Sequence, residues 1–326
     1  MPVNLDKPHL WKADGLLSVD MYNAWFMKFA PQAFRSTRVK TTKDVETALA
    51  ATGNLTNIQP AMLRRHPEFL PTLRMSTCPP LAVDRLIGLA DVSPSMVKRM
   101  EDHRMLPVRM SAAEVDVELG KIGAIIEKMA DPDIFVWLDR AEPATALETN
   151  RAATIIADRL CGAVANPIVP NAQEKRQLCE IKTWLEARGY RHLPGGVATQ
   201  FETMPPGTFC FRLNVRVEQI TENKDATKSV NIPIDAVIMP KSSKPGDFPL
   251  FFEAKSAGDF ANTNKRRKEE ATKMIQMKST YNGKGHVRFN LFLCGYFNAG
   301  YLGYAAADGI DWVWEHRIDD LALFGL

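Results

Sequence analysis

Two adjacent apolar segments, residues 230–239 and 249–255, constrain the fold most, because each alternates like a β-strand and a turn-rich stretch joins them. Successive side chains on a strand point to opposite faces, so Glu253 and Lys255 share one face of the second segment. Asp235 lies on the polar face of the first segment. If the segments pair as a hairpin, Asp235, Glu253 and Lys255 converge on one face of the sheet, opposite an apolar face.

This set of two carboxylates and one lysine indicates a site for a hard divalent cation beside a fixed positive charge. Magnesium binds through one or two carboxylates, several waters and a substrate phosphate, which makes a phosphodiester the implied substrate. A metal-held water is a usable nucleophile near neutral pH, and Lys255 then orients that water or neutralises the charge that develops on the phosphate. The alternative is a pair of edge strands with a solvated charged face, which is ordinary in antiparallel sheets.

The segment before this pair, residues 208–218, alternates without a break and predicts a third strand of the same sheet. The arginines on its polar face contact either a nucleic acid or water. One face carries Phe209, Phe211, Leu213, Val215 and Val217, and the other carries Cys210, Arg212, Asn214, Arg216 and Glu218.

An amphipathic helix is predicted upstream of the sheet, over residues 172–188. Asn171 stands at the N-cap position, Glu174 at the capping-box position and Gly189 after the last turn. The buried stripe of this helix consists of Leu178, Ile181 and Leu185, with Trp184 at its margin. Glu174 falls on the same stripe, so it serves either as a third acid near the metal or as a helix cap.

A basic run opens a further helix that is predicted over residues 265–280. Cations at a helix N-terminus oppose the macrodipole, and a bound phosphate reverses that penalty. The run therefore predicts contact with a nucleic-acid backbone, and the alternative is internal pairing with Glu269 and Glu270 at i,i+4. The basic residues are Lys265, Arg266, Arg267 and Lys268.

The N-terminal half is different, because it is largely helical and has no strand pair of comparable quality. We therefore predict two domains, a mostly helical recognition region over residues 1–150 and a catalytic domain over residues 151–326. Ser111 and Glu114 form a capping box before a packing helix within the first region. Several early basic residues, predicted to lie in loops, contact either phosphate or solvent; they are Arg35, Arg38, Lys40, Lys43, Arg64 and Arg65.

Residues 81–101 resemble a helix-turn-helix, with Ser93 as the N-cap and Pro94 at the first helical position of the second helix. Three polar residues of that second helix then face a DNA groove. The alternative is an ordinary helical hairpin, which is common in proteins that never contact DNA. The three residues are Ser95, Lys98 and Arg99.

Composition indicates a globular protein and disfavours some kinds of active site. Apolar residues make up 45% and charged residues 24% of the 326 residues, and the net charge is +3. This mild positive balance fits a nuclease, whose site holds acids for a metal while its flanks hold cations for phosphate. The five cysteines and six histidines have no metal-ligand spacing, so neither a zinc site nor a histidine-dependent nuclease is indicated. The first residues lack the apolar core of a signal peptide, so we expect a cytoplasmic protein with no membrane partner.

The order of these elements resembles the PD-(D/E)xK nuclease superfamily. That resemblance implies an α/β (α+β) fold, in which a mixed sheet is flanked by helices. It also implies that Asp235 and Glu253 bind the metal, that Ala254 offers its carbonyl, that Lys255 serves the nucleophile and that Glu174 is the helix acid. One departure is that Ile234 separates the nearest proline from Asp235, so the proline is not part of the signature.

A closer resemblance, to the XamI family of type II restriction endonucleases, appears in FEAKSAGDFANTNKRRKEE (residues 252–270) and GIDWVWEHR (residues 309–317). It extends over residues 170–326, with a looser echo at 72–107. The resemblance implies Mg²⁺-dependent, sequence-specific cleavage of double-stranded DNA, with Mn²⁺ as a substitute, at a palindrome such as GTCGAC. It further implies a homodimer, because a palindrome presents the same half-site twice, and a cognate DNA methyltransferase that protects the host.

Two other functions fit the same residues. One is a non-catalytic DNA-binding protein that uses the helix-turn-helix over an inactive sheet domain. The other is a repair or structure-specific nuclease of the same fold. Cleavage of intact, unmodified duplex DNA separates a restriction endonuclease from both alternatives.

Overall fold

A computed structural model describes residues 2–165, 167–195, 199–220, 227–261, 263–281 and 286–326, apart from the side chains of residues 219, 220, 227 and 264–267. The helices are α1 (Pro8–Ala51), α2 (Pro60–Arg65), α3 (Leu70–Met75), α4 (Val83–Ala90), α5 (Pro94–His103), α6 (Ala112–Met129), α7 (Ala146–Ala165), α8 (Ile168–Ala187), α9 (Thr263–Thr280) and α10 (Ala299–Ala307). The strands are β1 (Arg191–His192), β2 (Thr208–Ile220), β3 (Thr227–Met239), β4 (Leu250–Ala257), β5 (Arg288–Gly295) and β6 (Asp311–Trp314). Short 3-10 helical segments cover Pro67–Phe69, Phe201–Thr203 and Glu315–Phe324.

The chain divides into two compact units. The sheet unit comprises Met1–Phe29 and Val169–Leu326, and the helical unit comprises Ala30–Ile168. The start of the chain belongs to the sheet unit because the Asp311 carboxylate accepts the main-chain N–H groups of Val3 at 2.6 Å and of Asn4 at 2.9 Å. The predicted division lies at residue 150, whereas the division into compact units lies at residue 168. The assignment of DNA recognition to the helical region stays a prediction.

The sheet unit is built on one mixed six-stranded sheet with the order β1-β2-β3-β4-β5-β6. β2, β3 and β4 pair antiparallel, whereas β4, β5 and β6 pair parallel. The predicted hairpin is confirmed, because Ala236 pairs with Phe252, Val237 with Phe251 and Ile238 with Leu250. A mixed sheet with flanking helices is the predicted fold class, which is therefore confirmed.

Helices cover both faces of the sheet at its central strands, whereas the outer part of the β2–β3 pair exposes Asn214, Arg216, Asn231 and Pro233 on one face. On one face, Met274 and Met277 of α9 pack with Leu291, Leu293 and Trp312. On the other face, apolar residues of α8 pack with Phe252, Phe292 and Val313. The α8 residues are Leu178, Ile181, Trp184 and Leu185, which confirms the predicted stripe.

The uninterrupted alternation predicted for β2 is wrong at Arg212. Its φ is +52°, a left-handed value that an extended strand does not adopt. Cys210 therefore packs on the α9 face together with Leu213, although the pattern placed them on opposite faces. Phe209 packs on the α8 face instead.

The same switch of faces occurs in β3, opposite Arg212. Ile234 and Val237 pack on the α9 face, whereas Ala236 and Ile238 pack on the α8 face. Ladder pairs join Phe211 to Ala236 and Leu213 to Ile234, and the pairs skip Arg212 and Asp235 between them. The regular alternation of faces is thus interrupted at Asp235 as well as at Arg212.

The predicted start of the upstream helix is also wrong. α8 begins at Ile168, so Asn171 and Glu174 lie inside the helix rather than at its cap. Pro170 does not prevent this early start, because the first turn of a helix has no internal partner for its N–H groups. The predicted stop is confirmed, since Gly189 follows the helix with a φ of +75°.

The helical unit contains the predicted helix-turn-helix as local structure, formed by α4 and α5. Pro94 is at the start of α5, as predicted, but the Ser93 side chain does not cap that helix. Its hydroxyl contacts the Ser95 hydroxyl at 2.9 Å instead. The capping box of Ser111 and Glu114 at the start of α6 is confirmed.

Loops were predicted around the early basic residues, and this is wrong. The exposed side chains of Arg35, Arg38, Lys40 and Lys43 lie in α1, and Arg64 and Arg65 lie in α2. Thr and Ser indicate loops only weakly, because their hydroxyl groups can bond to a carbonyl within a helix. Thr37 and Thr42 do so, with the carbonyls of Ala33 and Arg38.

Within the part of the chain that the structure describes, one stretch, Ala146–Ala187, which contains α7 and α8, is long and apolar enough to cross a membrane. Its first part, α7, buries Ile156 and Leu160 in the core of the helical unit. Its second part, α8, buries Ile181 and Leu185 against the sheet. Core helices of globular domains pass the same test.

Candidate active site

Asp235 and Glu253 lie where the β3–β4 ladder ends. Beyond the pair of Ala236 and Phe252, the main-chain N–H of Ala254 donates to the Asp235 carboxylate at 2.9 Å. The side chain of Asp235 thus takes the place of a main-chain acceptor and fixes its carboxylate against β4. Asp235, Glu253 and Lys255 are brought together, as expected from the sequence.

Glu253 is the most buried member of this group, at 1% exposure. One of its carboxylate oxygens is 3.2 Å from Nζ of Lys255, and the other is 2.9 Å from Nζ of Lys273 on α9. Lys273 also donates to the carbonyl of Pro233 at 2.9 Å. Two lysines therefore hold Glu253 from both sides.

A further acid, Glu270 of α9, was not predicted as a site residue. It is 2% exposed, and its Oε1 is 3.5 Å from Nζ of Lys255. The hydroxyl of Tyr301 on α10 donates to its Oε2 at 3.3 Å. The signal that could have found it is spacing, because Glu270, Lys273, Met274 and Met277 recur at i, i+3, i+4 and i+7 and so share the inner face of α9.

The electrostatics of the site reflect burial and crowding of carboxylates. Burial, followed by the charge of Glu253, raises the pKa of Asp235 to about 6, although Lys255 and the Ala254 N–H act in the opposite direction. Burial disfavours the charged form of Lys255, but the carboxylates of Glu253, Glu270 and Asp235 outweigh it and raise the pKa of that ammonium group. Burial likewise raises the pKa of Glu270. A further cation would relieve the crowding of the carboxylates.

These residues fit a magnesium ion, which keeps part of its water shell, better than a metal that requires all its ligands from the protein. Within the described residues, no group of three or more His, Cys, Asp or Glu side chains is arranged to hold a metal. Magnesium does not need such a group, because it keeps several waters and uses one or two carboxylates together with substrate phosphate. The carboxylates of Asp235 and Glu253 are two hard oxygen groups on adjacent strands.

Glu174, the predicted helix acid, lies near Asp235. Its negative charge contributes to the raised pKa of Asp235, and its Oε1 is 2.9 Å from the guanidinium of Arg212. Its side chain is 34% exposed, so solvent reaches it. The capping role is excluded by its place inside α8, and a role as third acid stays a prediction.

α8 also supports the site through Gln177, which was not predicted as a site residue. Its buried amide donates to the carbonyl of Lys255 at 3.4 Å and to the carbonyl of Phe292 at 3.2 Å. Gln177 thus bridges β4 and β5 beside Lys255.

The predicted DNA contacts on α9 are described in part. The helix includes the basic run near its start, as predicted, and Lys268 is exposed. The side chains of Lys265, Arg266 and Arg267 lie outside the described residues. Contact of this run with DNA stays a prediction.

The predicted groove residues of the helix-turn-helix lie on α5. Ser95 and Lys98 are exposed, and Nζ of Lys98 is 3.7 Å from the carboxylate of Asp84. Arg99 is less accessible, because its Nε donates to the carbonyl of Leu106 at 3.1 Å. A role of these three residues in DNA recognition stays a prediction.

Comparisons with known proteins bear on the family to which the chain belongs. The model of the XamI restriction endonuclease family matches residues 53–314. The chain is 51% identical over 323 residues to the type II restriction enzyme SalI of Streptomyces albus G, and the match covers 99% of this chain and 99% of that relative. No solved structure matches the chain. The family predicted from the sequence is confirmed: the chain belongs to the XamI restriction endonuclease family and is a type II site-specific deoxyribonuclease.

Proposed function

We propose that the enzyme hydrolyses phosphodiester bonds of double-stranded DNA with Mg²⁺ held by Asp235 and Glu253, and that Mn²⁺ can substitute. The observation that carries this proposal is the convergence of these carboxylates with the Lys255 ammonium at the end of the β3–β4 ladder. The carbonyl of Ala254 is the third protein ligand, as the resemblance to PD-(D/E)xK nucleases implies. Hard oxygen donors of this kind favour magnesium or manganese over zinc.

Each of the proposed site residues has a distinct role in the reaction. Bound Mg²⁺ supplies a water of lowered pKa and a positive charge beside the phosphate. Lys255 donates hydrogen bonds to the attacking water or to the phosphate oxygens, and its raised pKa keeps the ammonium charged near neutral pH. The carboxylates of Asp235 and Glu253 lie in fixed positions before DNA binds, so little reorganisation is required at the reaction step.

Glu174 is the proposed third acid, which would accept hydrogen bonds from the hydration shell of a metal held by Asp235 and Glu253. The support for this role is its electrostatic effect on Asp235 and its partial exposure on the stripe of α8 that faces the sheet. Glu174→Gln keeps the size of the side chain and removes its charge. We expect slower cleavage at unchanged DNA affinity, and cleavage at the parental rate would leave Glu174 only a structural partner of Arg212.

DNA contacts are proposed in both units. The run Lys265, Arg266, Arg267 and Lys268 contacts phosphate, because cations at the start of α9 are favourable there only with a bound anion. Ser95, Lys98 and Arg99 of α5 read the groove, since the second helix of a helix-turn-helix carries the base contacts. Exposure of Ser95 and Lys98 supports this assignment.

The target, assembly and cellular setting are proposed from the family. The target is a palindrome such as GTCGAC, and the enzyme acts on it as a homodimer with one active site per subunit. A cognate DNA methyltransferase modifies the same site in the host. The enzyme works in the cytoplasm, where the host DNA is located.

Cleavage of unmodified DNA tests the proposal directly. Purified enzyme, its Asp235→Ala variant and an Asp308→Ala variant are each incubated with unmethylated plasmid and phage DNA in the presence of Mg²⁺, followed by electrophoresis and end sequencing. We expect discrete fragments from the parent and from Asp308→Ala, an exposed carboxylate after α10, and none from Asp235→Ala. The sequenced ends give the target.

The cofactor is tested in the same assay. EDTA should stop cleavage, and added Mg²⁺ or Mn²⁺ should restore it. If Asp235→Ala cuts like the parent, the proposed active site is wrong. Binding of DNA without cleavage by the parent under all metal conditions would instead support the non-catalytic DNA-binding alternative.

A further inference from the structure

α9 contributes two charged residues to the proposed active site in addition to its apolar face. The side chains of Glu270, Lys255, Glu253 and Lys273 form a chain of alternating charge. Successive contacts in this chain are 3.5 Å, 3.2 Å and 2.9 Å. The two middle members come from β4 and the two outer members from α9.

Glu270 is fixed more firmly than a surface carboxylate would be. It is 2% exposed, and Tyr301 donates to one of its oxygens from a neighbouring helix. Its other oxygen, at 3.5 Å from Lys255, forms an ion pair rather than a short hydrogen bond. Burial of a carboxylate is unfavourable unless a cation compensates for it, and packing alone would be served as well by an apolar side chain.

Lys255 needs such a partner because a lysine side chain has four rotatable carbon bonds and a compact, mobile charge. Glu253 restrains the ammonium from one side only. A second carboxylate, that of Glu270 at 3.5 Å on another element, restricts the ammonium further and leaves less rotamer freedom to be lost when the reaction begins.

We infer that Glu270 is a positioning residue for Lys255, which it holds between itself and Glu253 so that the ammonium faces the reacting phosphate. This inference rests on the proposed catalytic role of Lys255. Tyr301 acts one step further away, because it fixes the carboxylate of Glu270.

The primary test replaces Glu270 by Gln, which keeps the size of the side chain and an acceptor for Tyr301 but removes the negative charge. In single-turnover cleavage with saturating Mg²⁺, we expect the rate to fall by about tenfold or more, with DNA affinity and thermal stability close to the parent. Glu270→Asp keeps the charge and should restore part of the rate. The matched control is Glu269→Gln, an exposed neighbour on α9, which should cut at the parental rate.

A double-mutant cycle separates positioning of Lys255 from a general structural effect. In a Lys255→Ala background, Glu270→Gln should change the residual rate by less than about twofold, because the group on which it acts is gone. An equal loss in both backgrounds would overturn the inference. Cleavage by Glu270→Gln at the parental rate would overturn it as well.

Metal binding supplies a readout that does not depend on cleavage. Mn²⁺ titration by calorimetry should give the same affinity for the parent and for Glu270→Gln, since Glu270 holds the lysine and not the metal. A clear loss of Mn²⁺ affinity would overturn positioning in favour of direct ligation. If Glu270→Gln does not fold, Tyr301→Phe provides the second variant, and a rate within experimental error of the parent would then count against the inference.

Failure of the underlying function is distinguishable from failure of this inference. If Lys255→Ala cuts at the parental rate, the catalytic assignment itself is wrong. If Lys255→Ala is inactive while Glu270→Gln cuts normally, only the positioning role is wrong.

Discussion

Asp235 is held in place by a neighbouring strand and carries an unfavourable charge. Its carboxylate accepts the N–H of Ala254 at 2.9 Å, yet burial and Glu253 raise its pKa to about 6. At neutral pH the residue is therefore largely ionised at a free-energy cost to the folded state. A side chain in this condition is suited to binding a cation, because the cation relieves the repulsion.

The first prediction concerns the stability of Asp235→Asn in EDTA. The pKa of Asp235 is about 6 in the folded state, compared with 3.8 for an ordinary aspartate. Between these two pH values the folded state therefore binds more protons than the unfolded state. The free energy of unfolding of the parent thus falls as the pH rises through this window. The variant has no carboxyl group at this position and does not show this fall. We expect Asp235→Asn to be more stable by about 2–3 kcal/mol at pH 8 and equal to the parent below pH 4.

Thermal or urea unfolding across this pH range measures the difference. The exposed Asp308 offers a control, because Asp308→Asn should follow the parent at every pH. If the difference in free energy of unfolding between Asp235→Asn and the parent does not change with pH, ionisation of Asp235 is not its cause.

The second prediction concerns the backbone of Arg212. Its φ of +52° is unfavourable for any residue with a β-carbon by about 1 kcal/mol, whereas glycine adopts it freely. Arg212→Gly and Arg212→Ala both remove the ion pair with Glu174, so that loss cancels between them. We expect the glycine variant to be more stable than the alanine variant by about 1 kcal/mol in urea unfolding.

This order is the reverse of the one expected in regular strands, where glycine is the less stable of the two. An alanine variant more stable than the glycine variant would mean that the strand is regular at Arg212. The face switch between Cys210 and Leu213 would then lack its backbone cause.

At the scale of elements, a nearly buried ion pair joins two helices that also share the apolar core of the helical unit. Arg74 of α3 donates to both carboxylate oxygens of Glu101 on α5, at 2.9 Å and 3.0 Å, and also to the carbonyl of Leu81. Both side chains are nearly buried, at 9% and 11% exposure. The pair therefore anchors the second helix of the helix-turn-helix to the core of its unit.

The third prediction follows from this pair. Glu101→Gln keeps the shape but leaves the Arg74 guanidinium buried without a counter-charge, and the loss of one partner of a buried pair typically costs about 3–5 kcal/mol. We expect the free energy of unfolding to fall by about 3 kcal/mol. The adjacent, exposed Asp102 supplies the control, since Asp102→Asn should change stability by less than about 0.5 kcal/mol. Equal stability of the two variants would contradict the anchoring role.

At the scale of the whole molecule, the single site proposed in each chain must account for cleavage of two DNA strands. A type II enzyme cuts double-stranded DNA, and the described residues place Asp235, Glu253 and Lys255 in one site. Two chains related by a two-fold axis would present two such sites to a palindrome. The fourth prediction tests this arrangement.

Parental chains are mixed with an excess of Asp235→Ala chains under conditions that allow subunits to exchange. Each mixed dimer then has one working site, so supercoiled plasmid should accumulate as nicked circles rather than as linear DNA. Electrophoresis of the products over time measures the ratio. If the mixture yields only linear DNA, at a rate proportional to the parental fraction, both strands are cut by one chain or by parental dimers that do not exchange. Light scattering on the parent distinguishes these two cases, and a monomer would contradict the dimer.

The local pattern of the sequence determined the hairpin and the three catalytic candidates. Strand alternation fixes the direction of Glu253 and Lys255 from residues one or two positions away, and the turn-rich stretch between Met239 and Leu250 lets β3 and β4 pair as neighbours. The stripe of α8 and the capping box of α6 were predictable for the same reason. Each depends on neighbours close in the chain.

Only the tertiary structure decided which distant residues complete the site. Glu270 and Lys273 lie 15 and 20 residues beyond their partners Lys255 and Glu253, and Tyr301 lies 31 residues beyond Glu270. The break of alternation at Arg212 and the inclusion of Met1–Phe29 in the sheet unit were likewise not predicted. Spacing along the chain predicts which side chains share one face of a helix or strand. It does not state which helix covers which face of the sheet, because that choice is made by packing between segments far apart in sequence.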